Sequence, residues 1–292
     1  MYAITGITGK VGGQLARALR ARDLLVRAVV RDAGKAGEWA ALGCEIAVAT
    51  MEDAGALTRA FADATGVFIL PPPVFDPTPG DLEAGQVIDA VIAALDAARP
   101  RKVLCLSTIG ADAIHETLLS PRLAMETALR ELALPLTILR PAWFTDNAAW
   151  DVTAARDTGL LQSFLLPLDR PIPMVAAGDV GRTAAALIQE TWTGTRIVEI
   201  EGPSRVSPND LAAAFSAALS RVVTPVVVPR EAWEALFRSQ GMNNPTPRMR
   251  MLDGFNEGWI AFTAGGANVR KGTTGVAEVV ASLVAADPFR PS

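Results

Sequence analysis

Directly after its first apolar run the chain reads Thr5-Gly6-Ile7-Thr8-Gly9-Lys10-Val11-Gly12, three evenly spaced glycines ahead of a helical pattern. Gly6 permits a tight turn, Gly9 lets backbone N–H groups come close to a pyrophosphate, and Gly12 lets a helix pack closely on a sheet. The helix N-terminus adds partial positive charge, so the loop suits a phosphate-bearing ligand. The spacing departs from G-x-G-x-x-G, and glycine triplets also occur in ordinary turns. What gives this one weight is its place at a first strand-to-helix junction. The second apolar run ends in Val29-Val30-Arg31-Asp32, where the adenosine ribose of a dinucleotide would lie. An acidic residue there binds the 2′-hydroxyl of NAD, whereas Arg31 suits a 2′-phosphate, with Lys35 as a second charge. NADP(H) is therefore expected in preference to NAD(H). The alternative is a solvated Arg31, with Asp32 on the ribose.

Acid and base groups are scarce. There is one tyrosine, Tyr2, and one histidine, His115, which closes paired-His metal sites and any mechanism needing a tyrosine in mid-chain. Cys44 and Cys105 lie within apolar runs without metal-ligand spacing and read as reduced core thiols; no metal is expected. With 27 Lys and Arg against 31 Asp and Glu, and a formal charge of −4, no basic excess favours a nucleic-acid backbone, and no direct nucleic-acid binding is expected. No stretch approaches the ~18 uninterrupted apolar residues of a spanning helix, and the start of the chain lacks the pattern of a secretory signal. Neither membrane association nor secretion is expected, and the location is expected to be cytoplasmic.

The elements that must position these groups alternate. Tyr2–Thr5, Leu25–Val30, Glu45–Val48, Gly66–Leu70, Lys102–Leu106 and Leu136–Leu139 read as buried strands. Between them Lys10–Ala21, Lys35–Ala41, Asp53–Ala62, Gly80–Ala98 and Ser120–Leu132 carry apolar residues at helical spacing. This predicts an α/β fold, a Rossmann-type doubly wound parallel sheet. After Arg140-Pro141 prolines become frequent and strict alternation ends. Strands are expected at Arg196–Ile200 and Pro225–Val228, and helices at Asn147–Thr158, Asp179–Glu190, Ser207–Leu219, Glu231–Gln240, Met249–Phe262 and Thr273–Ala286, with a terminal tail. Ser207 before Pro208 is a helix-start signature. The organisation expected is a dinucleotide-binding domain, 1–148, interleaved with a smaller mixed C-terminal lobe, 149–292, that binds substrate.

The TGxxGxxG loop, the arginine ending strand two, GVFILPPP at strand four, LCLSTIGA at strand five and TILRPAWFTDN at strand six occur as one ordered set. Together they resemble the atypical short-chain dehydrogenase/reductase branch that contains NmrA-like proteins, bacterial NADPH:quinone oxidoreductases and triphenylmethane reductases. The resemblance spans most of the chain and is most specific over 1–148. It implies that Gly6, Thr8, Gly9, Lys10, Val11, Gly12 and Arg31 hold the cofactor's phosphates and adenosine end. Leu70, Pro71, Pro72, Ser107, Pro141, Ala142 and Trp143 are implied to line its other half. Departures are visible: relatives often carry an Asp near the end of strand three, whereas here Ala49-Thr50-Met51 precedes Glu52 and Asp53. The superfamily's Tyr-x-x-x-Lys dyad cannot form, because the residue four places beyond Tyr2 is Gly6. Arg122 precedes Glu126 where relatives have a basic residue before an acidic one.

Hydride transfer to an electron-poor π-system fits this inventory, since the developing anion is delocalised and positioning supplies most of the catalysis. Trp143 and Phe144 suit stacking of a flat substrate, and Asn147 suits donation to a carbonyl oxygen; the plainer reading of the aromatics is packing. His115 is a candidate proton donor or a surface histidine. Ser107 is a candidate hydrogen-bonding group to nicotinamide or substrate, or a strand-end cap. The expected function is an NADPH-dependent oxidoreductase acting on a small aromatic substrate, quinone-like or dye-like, as a monomer or homodimer. The other reading is an NmrA-like redox sensor acting through a protein partner without turnover.

Overall fold

The alternating runs become alternating elements in the computed structural model, which describes residues 1–263 and 269–287. In chain order the first are β1 (Tyr2–Ile4), α1 (Lys10–Arg20), β2 (Val26–Val30), α2 (Gly37–Ala41), β3 (Glu45–Val48), α3 (Ala54–Phe61), β4 (Gly66–Ile69), α4 (Leu82–Ala98), β5 (Val103–Leu106), α5 (Ser120–Arg130) and β6 (Leu136–Pro141). There follow β7 (Trp143–Phe144), α6 (Val152–Thr158), β8 (Leu160–Ser163), β9 (Met174–Val175), α7 (Ala177–Gln189), β10 (Thr195–Glu201), α8 (Pro208–Leu219), β11 (Thr224–Val227), α9 (Trp233–Ser239), α10 (Thr246–Glu257), β12 (Arg270–Lys271) and α11 (Val276–Ala285).

The main sheet is parallel, in the order β12-β10-β6-β5-β4-β1-β2-β3. Tyr2 of β1 pairs with Val26 of β2 on one side and with Gly66 of β4 on the other. The winding direction reverses between these neighbours, so the connections leaving the carboxyl ends of β1 and β4 part and open a crevice. Strands β4, β5 and β6 are buried along their whole length, which explains their unbroken apolar runs. At the sheet's other end β3 exposes Glu45 and Val48.

Contacts divide the chain into two compact units: Met1–Asp112, Leu118–Arg140 and Val180–Val198 form one, and Ala113–Thr117, Pro141–Asp179 and the chain from Glu199 form the other. In the first, Phe61, Leu57, Val91, Leu95, Met125 and Ile138 are part of a continuous apolar core where α3, α4 and α5 cover the sheet. Helix α7 meets α1 closely: a Cβ on Gly181 would lie 2.7 Å from the Val11 carbonyl oxygen. In the second unit, Phe215, Leu161, Val280 and Val284 join α6, β8, α8 and α11 in one cluster. Trp233, Phe237, Leu252 and Val228 form another. Strands β8 and β11 pair with each other, as do β7 and β9.

Helix α8 starts as expected: the Ser207 side chain accepts from Asp210 N–H, and Asp210 reaches back to the Ser207 backbone, a reciprocal cap. The helix expected at Asn147–Thr158 is corrected. Residues Thr145–Asp151 form a 3-10 stretch, and α6 begins only at Val152. An Asp side chain competes with the helix for backbone partners, and Asp146 uses its carboxylate to accept from Ala177 N–H at 2.7 Å. The expected tail, 288–292, lies outside the described residues.

Candidate active site

Gly6 adopts the left-handed region, φ +62°, and a Cβ there would collide with Leu70 at the end of β4. Its carbonyl oxygen accepts from Gly9 N–H at 3.0 Å, closing the turn. Gly9 caps α1 in extended conformation; no side chain caps the helix, and its first turn holds no acidic residue. A Cβ on Gly12 would collide with the Gly6 carbonyl oxygen, so the helix starts in contact with the turn. The first-turn N–H groups of a helix lack intrahelical partners and carry partial positive charge. Together with exposed Thr8 and Lys10, they form a donor set suited to a pyrophosphate, and Gly9, whose own N–H is spent on Gly6 O, leaves the approach clear of a side chain.

Thr5 ties this loop to its neighbour. Its hydroxyl donates to Phe68 O at 3.0 Å and accepts from Leu70 N–H at 2.8 Å, and the residue is buried. The carboxyl ends of β1 and β4 are thereby locked in register, which places Leu70 against Gly6.

Beyond β2, Arg31 is exposed and makes no hydrogen bond or ion pair among the described residues; Lys35 likewise. Asp32 is engaged locally, accepting from Gly34 N–H at 2.8 Å and capping the short 3-10 turn Ala33–Lys35. Of the two acids beyond β3, Asp53 caps α3 by accepting from Ala56 N–H at 2.8 Å, while Glu52 is exposed at a cavity of about 190 Å³. Pro71, Pro72, Val87 and Arg122 also line that cavity. Arg122 donates to the carbonyl oxygens of Pro71 at 3.0 Å and Pro72 at 3.4 Å, so it clamps the loop after β4. Burial pulls its guanidinium below the ordinary value.

Ser107, at the carboxyl end of β5, is buried, and its hydroxyl donates to Glu126 Oε1 at 2.5 Å. Glu126 is fully buried and takes a two-pronged contact from Arg140, Nε at 2.9 Å and Nη2 at 2.7 Å, with Arg130 at 3.3 Å. Arg140 also donates to Asp112 Oδ2 at 2.8 Å. Burial works against the Arg140 charge, but the hydrogen bonds to Glu126 and Asp112 outweigh it and hold the guanidinium above its usual range. Within β5, burial pushes the Cys105 thiol up to about 12, an inert side chain; Cys44 is also buried and free.

The remaining expected residues belong to the second unit. Pro141 and Ala142 are buried, with Ala142 N–H donating to Ile200 O at 2.8 Å. Trp143 is half-buried, anchored by its N–H on Pro173 O at 3.3 Å, and meets Phe255 edge-on with ring centroids 5.1 Å apart. Asn147 is half-buried, and its side-chain amide has no hydrogen bond among the described residues. His115 is exposed and stands edge-on to Trp259 at 5.0 Å. Phe164 meets Trp233 edge-on at 5.7 Å and Phe237 at a tilt at 5.2 Å, within the core cluster of this unit. Trp192 lies in the first unit, between Arg196 and Lys102.

Sequence reasoning missed Thr5, the Glu126–Arg140 pair and Asp151. Burial pushes the Asp151 carboxyl up to about 7, and the group has no hydrogen-bond partner among the described residues. An arginine inside the apolar run TILRP was the available signal for the buried pair, since such a charge needs a partner. Among the described residues no helix is long and apolar enough to cross a membrane, and no acidic, His or Cys cluster suits a metal.

A family profile described as NAD(P)H-binding matches residues 6–191. An NAD(P)H azoreductase of Xenophilus azovorans is 26% identical over 244 residues, covering 83% of this chain and 82% of that protein. Quinone oxidoreductase 2 of Escherichia coli (strain K12) is 26% identical over 249 residues, with 83% and 82% covered. In fold, the chain is similar to the Citrobacter sp. triphenylmethane reductase complexed with NADP(H): TM-score 0.79, 22% identity, 97% of this chain and 99% of that one covered.

Proposed function

The chain belongs to the NAD(P)H-binding family, and from that premise we propose that it is an NADPH-dependent oxidoreductase delivering hydride to a hydrophobic aromatic acceptor, a quinone or a dye. The observation that carries this reading is an anion cradle accompanied by an unengaged cation. Gly6 and Gly12 leave space where any side chain would collide, the α1 N-terminus lacks its own cap, and Arg31 is free while Asp32 is occupied. Gly6, Thr8, Gly9, Lys10, Val11 and Gly12 would hold the pyrophosphate, and Arg31 with Lys35 the 2′-phosphate. Glu52, rather than the helix-capping Asp53, is the acid left for the adenine amino group.

Leu70, Pro71, Pro72, Ser107, Pro141, Ala142 and Trp143 would line the nicotinamide half. Bound there, NADPH supplies the hydride. The chain's own share of the work is binding and orientation. The Thr5 and Arg122 bonds stiffen the loops after β1 and β4, Trp143 offers an aromatic surface held by Phe255, and the unengaged Asn147 amide would donate to a carbonyl oxygen of the acceptor. His115, exposed to solvent, is a proton source for the reduced product. The division of labour proposed is cofactor binding by 1–148 and acceptor binding by elements of 149–292. The azoreductase and quinone oxidoreductase relatives support a flat, electron-poor acceptor.

The test is steady-state oxidation of NADPH by pure protein against a panel of quinones, azo dyes and triphenylmethane dyes. Saturable, acceptor-dependent oxidation is expected. Tight NADPH binding without turnover on any acceptor would refute the enzyme and favour the regulator.

A further inference from the structure

Glu126 sits on α5 and is not itself expected to touch a ligand, yet it is fully buried and holds the hydroxyl of a residue that is. The geometry points to Glu126 as a positioning residue that fixes Ser107 as a hydrogen-bond acceptor. This rests on the proposed reading that Ser107 lines the nicotinamide half of the cofactor site.

Arg140 addresses both oxygens of Glu126 with N–H groups, and Arg130 adds another, an arrangement of cationic donors that favours the carboxylate over the neutral acid. A carboxylate has no proton to give, so in the 2.5 Å contact the proton comes from Ser107 Oγ. A hydroxyl has one proton and two lone pairs. With its proton committed to Glu126, Ser107 can offer the site only lone pairs. The Ser107 backbone is pinned by its N–H on Leu139 O at 2.8 Å, and burial together with the bond to Glu126 keeps the hydroxyl in this orientation. Ser107 therefore cannot stabilise an oxyanion or a substrate carbonyl; it selects a ligand group that donates. On the nicotinamide ring the donor is the carboxamide NH₂, and holding it would set which way the carboxamide, and with it the ring, is turned.

The experiment compares binding of NADP⁺, thionicotinamide-NADP⁺, which keeps the NH₂, and 3-acetylpyridine-NADP⁺, which carries a methyl in its place. The proteins are wild type, Ser107→Ala and Glu126→Gln, with folding checked by thermal melts. Wild type is expected to bind the acetylpyridine analogue about tenfold more weakly than the other two, and Ser107→Ala to bind all three alike. In Glu126→Gln the amide can donate to Ser107 and free its proton, so discrimination against the acetylpyridine analogue should vanish or reverse, an effect that a purely structural role for Glu126 would not produce. Ser107→Ala removes only a hydroxyl and keeps the test decisive if Glu126→Gln fails to fold. If Ser107→Ala keeps the wild-type discrimination while NADP⁺ still binds, the polarity assignment is overturned alone. If NADP⁺ does not bind wild type at all, the cofactor reading falls and takes this one with it.

Discussion

A Cβ on residue 12 would stand 2.8 Å from the carbonyl carbon of Gly6, so the first helix begins in direct contact with the turn that follows the first strand. That contact sets how near the α1 N-terminus comes to whatever lies on the turn. Gly12→Ala should push the helix away and weaken NADPH binding by about tenfold or more, while lowering the melting temperature by a few degrees. Fluorescence titration and a thermal melt on the same sample would check both.

Much of this part of the fold was legible because local rules and tertiary packing agree there. Strand β3 falls at Glu45–Val48 as expected, and α1 ends one residue before its expected limit. Strands β7 and β9 were not foreseen: each is two residues long, too short for any periodicity, and exists through pairing with a segment some thirty residues away in sequence. The Glu126–Arg140 pair was missed for a different reason. Charged residues on a helix and at a strand end ordinarily read as solvated, and only three-dimensional burial turns them into a network. Arg122, legible in sequence only as a basic residue ahead of Glu126, clamps Pro71 and Pro72.

The clamp is testable. Arg122→Ala leaves two proline carbonyls without their donors and should destabilise the protein by about 1–3 kcal/mol. Limited proteolysis should then cut within residues 73–80 faster than in wild type; an unchanged rate would show that the loop holds itself.

Trp143 is anchored by Phe255 and by its backbone bond to Pro173, and Asn147 is unengaged. Trp143→Ala and Asn147→Ala should each lower turnover with a quinone about tenfold, and Asn147→Ala should leave NADPH affinity within about twofold of wild type. Unchanged turnover would return both residues to packing.

The Asp151 carboxyl is raised to about 7 by burial. Because the folded value lies above the unfolded one, the fold favours the neutral form. The associated stability is present below about pH 4 and is lost as pH rises through 7. Asp151→Asn should therefore raise the melting temperature at pH 8 by a few degrees and leave it nearly unchanged at pH 4. A shift of equal size at both pH values would contradict the assignment.

On the proposed reading, the glycine cradle and the free Arg31 together bind a dinucleotide carrying a 2′-phosphate. Calorimetric titration of NADPH and NADH into wild type and Arg31→Ala checks this. Wild type is expected to bind NADPH at least about tenfold more tightly than NADH, with Arg31→Ala losing most of that preference and retaining its NADH affinity. Equal binding of both cofactors by wild type, or equal loss of both in the variant, would contradict it.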